Sequence, residues 1–144
     1  MTRLTLDQAS TILEAALAKG RADDMNPLTI AVLDDGGHLK AFKREDGPGA
    51  AMRPQVAMGK AFAAVGMGRP TRTLGLMAQE RPHFLNALAA ASDGRFIPVP
   101  GGVLIRDGEG EVIGSVGVSG DTSDNDAASA AAGIEAAGLT ADDG

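Results

Sequence analysis

PGGVLIRDGEGEVIGSVGVSG, residues 100–120, carries glycine at seven of its twenty-one positions, and every apolar residue between them is Val, Ile or Leu. Asp107-Gly108-Glu109-Gly110 is turn chemistry between two runs of β-formers, so the stretch predicts a hairpin. Glycine weakens a strand because it adds backbone entropy and gives nothing to pack. Gly114 and Gly117 inside the second strand therefore imply that something approaches that backbone closely: a helix, a second subunit or a flat ligand. Strand alternation puts Val112, Gly114, Val116 and Val118 on one face and Ile113, Ser115, Gly117 and Ser119 on the other, one bulky and one small. Downstream, SGDTSDNDAASAAAGIEAAG predicts a helix with Asp121, Ser123, Asp124 and Asp126 about its first turn, where carboxylates suit the helix dipole. Its alanine face is small enough to lie on the glycine-bearing strand.

Upstream, LTIAVLD (residues 28–34) and HLKAFKR (residues 38–44) flank Asp35-Gly36-Gly37 and predict another hairpin, with His38 at its turn end. Thr5 followed by Gln8 is a capping box, and Ala9, Ile12, Leu13, Ala16 and Leu17 continue it as an amphipathic helix ending near Gly20. A helix over residues 50–65 ends at Gly66, Gly68 and Pro70, and TRTLGLMAQERPHFLNALAAAS predicts two short helices split before Pro82. Helix, hairpin, helices, hairpin, helix is an α+β arrangement: a central antiparallel sheet of two hairpins flanked by helices. With no βαβ alternation around a phosphate-binding glycine loop, a dinucleotide-binding fold is excluded.

The 144 residues fit one domain, 1–144, able to bury a core without metal or disulfide. No Cys is present, which removes thiolate nucleophiles and thiolate metal sites. A net charge of −6 and no Lys/Arg cluster argue against nucleic acid, as does the absence of Trp and Tyr for stacking bases. No apolar run approaches membrane-spanning length and no signal-peptide h-region is seen, so the expectation is a cytoplasmic protein without a membrane partner.

AVLDDGGHLKAFKREDG (residues 31–47), KAFAAVGMGRPT (residues 60–71) and the stretch at 100–120 together resemble the GlcG/HbpS-like family, also called the haem-degrading domain family. The resemblance spans almost the whole chain. It implies a profilin-like fold, a homo-oligomer, and haem or related tetrapyrrole binding in an accessory role in small-molecule catabolism or redox sensing. After the final Ser119-Gly120, many relatives carry an acidic pair where this chain has Asp126 followed by Ala127.

Against that background His38 is the candidate axial ligand to haem, since imidazole suits iron. Lys60 and Arg69 are candidate partners for the ligand's acid groups, with Arg72 in the same basic group. His83 is a weaker ligand candidate, and Thr71 reads as the N-cap of the helix that follows. The rival reading is a cofactor-independent enzyme acting on an oxyacid or ring substrate, with His38 or Asp126 transferring a proton and Arg69 holding the substrate. Asp121 and Asp126 also read simply as caps and dipole partners. No metal site is expected, because Asp121, Asp124 and Asp126 lack the spacing of a calcium loop.

Overall fold

The computed structural model describes residues 3–144. Its elements are α1 (Leu6–Ala22), β1 (Thr29–Asp34), β2 (Leu39–Arg44), α2 (Arg53–Met67), α3 (Thr71–Glu80), α4 (Pro82–Ala91), β3 (Gly102–Arg106), β4 (Val112–Ser119), α5 (Ser123–Ala136) and β5 (Thr140–Asp142). Both expected hairpins form. They join through antiparallel β1 and β4 into a five-stranded sheet of order β2-β1-β4-β3-β5, with every pairing antiparallel.

Alternation along the strands feeds two different layers. Ile30, Val32, Val103, Ile105, Val116 and Val118 point to one face, where they form the main core with Ile12, Leu13 and Ala16 of α1 and Ala127, Ala130 and Ile134 of α5. Each of the large side chains there contributes roughly 1.5–3 kcal/mol by leaving water. Capping starts α1 as read from Thr5 and Gln8, whose side chains each accept the other's backbone N–H. The helix runs two residues past Gly20, over which the Leu28 side chain packs directly.

On the opposite face lies α2, and here the close-approach partner of the glycine strand differs from expectation. A Cβ on Gly117 would overlap the Ala57 carbonyl oxygen and stand 2.7 Å from the Ala61 nitrogen. It is the Ala57-Ala61-Ala64 side of α2, not alanine-rich α5, that closes on this face, aided by Ser115 Oγ donating to Ala61 O at 2.6 Å. Gly114 is filled separately, by the Leu33 carbonyl of β1 and by Leu4. Pairing of Ile105 with Gly114 and Arg106 with Val112 leaves Ile113 as a bulge residue, so Ile113 joins the α1/α5 core rather than the small face. The glycine surface is thus protein-filled and offers no platform to a ligand.

Pro82 divides α3 from α4 as expected, with Arg81 between them at φ −131°. These two helices and α2 enclose a second small core of Ala63, Leu74, Leu85 and Phe96. The short strand β5 was not expected; it pairs with β3, Ile105 opposite Ala141, and covers what would otherwise be an open sheet edge. No described helix is long and apolar enough to cross a membrane.

Candidate functional site

At the end of β4, a lysine from one helical layer meets an aspartate from the other. Lys60 Nζ, on α2, donates to Asp126 Oδ2 at 3.0 Å and to the Val118 carbonyl at 2.9 Å, and both side chains are 3% exposed. Asp126 Oδ1 accepts the Asp121 N–H at 2.9 Å. Burial pushes the Asp126 carboxyl above the usual carboxylate range, against the opposing pull of Lys60 and the Asp121 N–H. So closely does the ammonium pack that a Cβ at Gly101 would stand 2.7 Å from it. Lys60, read from sequence as a partner for a ligand's acid group, is enclosed and bonded within the protein. The arrangement clamps α2, β4 and α5 together.

The helix that carries Asp126 is capped by Thr122, whose hydroxyl accepts the Asn125 N–H. Asp121 instead ties the helix start to the chain before β1, accepting the Asn26 N–H at 2.8 Å and the Asn125 amide at 2.7 Å. Those bonds, Asn125 foremost, hold its carboxyl below the usual range. Arg72 bridges Asp124 and Asp143, and this holds the C-terminal segment beside α3 and α5. Pro70 rather than Thr71 is the N-cap of α3; Thr71 Oγ1 accepts the Gly102 N–H at 2.8 Å and so pins the helix to β3. Of the expected basic group, only Arg69 is exposed and makes no ion pair among the described residues.

His38 is exposed at the β1–β2 turn. Asp34 Oδ1 accepts the backbone N–H of both Gly36 and His38 at 3.0 Å, which fixes the turn while the imidazole makes no hydrogen bond among the described residues. The turn rests on α2: a Cβ on Gly37, which sits at φ +79°, would stand 3.0 Å from the Phe62 ring. Phe62 is also a wall of an apolar hollow of about 200 Å³ shared with Met67, Leu88, Arg95 and Phe96. The end of α2 therefore sets His38's turn beside an apolar surface, with Arg69 following just past the Gly68 cap. His83 is exposed on α4. No described group of three or more His, Asp or Glu side chains could hold a metal ion.

Two residues of this region, Phe62 and Arg95, escaped the sequence reading. Phe62 had a signal: the chain has only four Phe, and one in an otherwise Ala-rich helix needs a reason. Arg95 had none, because only the folded loop carries it back over α2.

The family model described as "Haem degrading protein HbpS-like" matches residues 4–135. The chain belongs to the HbpS-like family. Among solved structures it is similar to HbpS, at 27% identity and TM-score 0.77 with 94% of this chain and 90% of that one covered. It is also similar to the Klebsiella pneumoniae protein ORFY, at 25% identity and TM-score 0.84 with coverages of 96% and 93%. A PduOC:haem complex shares the fold, at 24% identity and TM-score 0.82 with coverages of 96% and 97%. No curated protein matches the sequence. With these likenesses the α+β, profilin-like architecture of the HbpS-like chain rests on its own sheet and on its relatives together.

Proposed function

We propose that this protein binds haem or a related tetrapyrrole and acts as an accessory protein in small-molecule catabolism or redox sensing. The observation that carries the proposal is the placement of His38: an exposed imidazole without a hydrogen-bonded partner among the described residues, on a turn that rests against the Phe62 wall of an apolar hollow. Membership of a family described as haem degrading supports it. A neutral imidazole nitrogen is a fitting donor to haem iron, and an apolar wall suits the macrocycle. In this reading His38 would hold the iron, Phe62 and Met67 would offer the macrocycle apolar contact, and Arg69 would pair with an acid group. Lys60 acts from behind by fixing α2 in place. The bound group would supply a redox-active iron; the chain's part is to orient it and shield one edge.

At about 200 Å³ the hollow is smaller than the roughly 300–1,000 Å³ of a pocket that engulfs a drug-sized ligand. Much of a tetrapyrrole would therefore stay outside it. We further propose a homo-oligomer, in which a second copy covers part of that surface; Leu39 and Phe42, 50% and 37% exposed on the edge strand β2, supply apolar area for such contact. Sedimentation of the purified protein as a monomer at all concentrations would sink the oligomer.

Haemin titrated into apo-protein is expected to give a saturable Soret shift, and His38→Ala is expected to weaken the affinity by about tenfold or more, each tenfold being about 1.4 kcal/mol. Without Trp or Tyr the protein adds little near-ultraviolet absorbance of its own. A wild type that gives no shift overturns the binding; a shift unchanged in His38→Ala overturns the ligand assignment.

A further inference from the structure

The outward side of α2 runs Met58, Phe62, Gly66 at one-turn spacing, and it faces the end of α4 and the loop after it. Two hollows lie along this trough. One is lined by Phe62, Met67, Leu88 and Phe96, and the other, of about 350 Å³, by Pro54, Gln55, Met58, Asp93 and Gly94. Arg95 lines both. Its guanidinium carbon sits 4.1 Å from the centre of the Phe62 ring, and its Nε donates to the Ser92 carbonyl at 2.9 Å. Arg95 makes no ion pair among the described residues. The loop that presents it is set by two left-handed residues in a row, Asp93 at φ +56° and Gly94 at φ +81°.

From this juxtaposition we infer a binding site for a planar aromatic carboxylate, in which the ligand's ring takes the guanidinium's place on Phe62 and its carboxylate pairs with Arg95. Cation–π contact at an exposed site is weak, so the guanidinium is readily displaced. An aromatic ring stacked on Phe62 recovers a comparable amount beyond its area burial. The displaced guanidinium then gains what the unliganded protein does not give it, a fork-shaped hydrogen-bonding partner of opposite charge. Asp93, on the same rim, disfavours a second negative group at the Met58 end, so the site takes a monoanion or an anion whose charge lies on one edge. The inference deepens the haem reading, since a tetrapyrrole with acid groups on one edge belongs to this ligand class, yet it requires nothing of His38.

The probe is 2-naphthoate, followed by its own fluorescence, with uncharged 2-naphthamide as its comparison. Wild type is expected to bind naphthoate saturably and at least tenfold more tightly than the amide. Arg95→Gln, a change on the surface, is expected to lose that tenfold preference, so that naphthoate binds no more tightly than the amide. Phe62→Leu is expected to weaken both by at least threefold, with an unchanged thermal melt confirming the fold. Absence of saturable naphthoate binding by wild type, or a preference that survives Arg95→Gln, overturns the inference. Haemin binding through His38 without naphthoate binding would overturn this site and leave the haem reading standing; naphthoate binding without haemin binding would do the reverse.

Discussion

Lys60→Met is expected to destabilise the protein by about 3–5 kcal/mol at neutral pH, because it leaves the Asp126 carboxylate buried without its counter-ion. The replacement keeps the length and apolar stem of the side chain, so packing against Gly101 and Gly102 changes little; charge and two hydrogen bonds are what is lost. In the wild type, burial already raises the Asp126 carboxyl above its ordinary value of about 3.9, and removal of the ammonium raises it further. A carboxyl raised in the folded state keeps its proton to higher pH than the unfolded chain does, so the folded state binds more protons across that window. Its contribution to stability is therefore fullest on the acid side and falls as the pH rises through the raised value. Urea melts should accordingly show the deficit of Lys60→Met shrinking as pH falls from neutrality towards 5. Lys60→Met with Asp126→Asn, which removes both charges and keeps an acceptor for the Asp121 N–H, should recover about half or more of the loss at pH 7. A single-variant cost below about 1 kcal/mol, with no pH dependence, would show that the pair is solvated rather than enclosed.

That pair also shows how far the sequence was legible. Lys60, Asp126, His38 and Arg69 all stood out as residue types with chemistry to offer, but the reading placed Lys60 with Arg69 because they lie on one stretch of chain. Their directions differ by the helix period: Lys60 shares the buried side of α2 with Ala57, Ala61 and Ala64, whereas Arg69 lies beyond the cap. Only the three-dimensional sheet, with α2 and α5 on opposite faces yet meeting at the end of β4, brings Lys60 to Asp126. Elements with strong local signals were legible for local reasons: the Thr5–Gln8 box, the two glycine turns, the Pro82 break. β5 was not, since Thr140–Asp142 is a strand only because the edge of β3 recruits it. The trough at Phe62 and Arg95 was hidden for the same reason, as it joins α2 to a loop nearly three dozen residues on.

The glycines that made residues 100–120 conspicuous yield the other large expected effect. Gly117→Ala adds one methyl group to the most crowded point between sheet and helix, where it would overlap the Ala57 carbonyl and stand 2.9 Å from the Ala61 Cβ. Overpacking usually costs about 1–3 kcal/mol because neighbouring side chains give way. Here the obstacles are the backbone of α2 and an alanine with no rotamer to change, so the whole helix must lift; the expected loss is at or above about 3 kcal/mol, the upper end of that range. Lifting α2 also moves Lys60 from Asp126 and Phe62 from the turn that carries His38, so haemin and naphthoate affinity should fall together with stability. Gly108→Ala, in the same hairpin but with open space around its turn, is the matched comparison and should stay within about 0.5 kcal/mol of wild type. Guanidinium melts of the two variants decide the matter: near-equal midpoints would mean that α2 does not rest on the glycine strand, and the close approach inferred from those glycines would have to be assigned to something other than this helix.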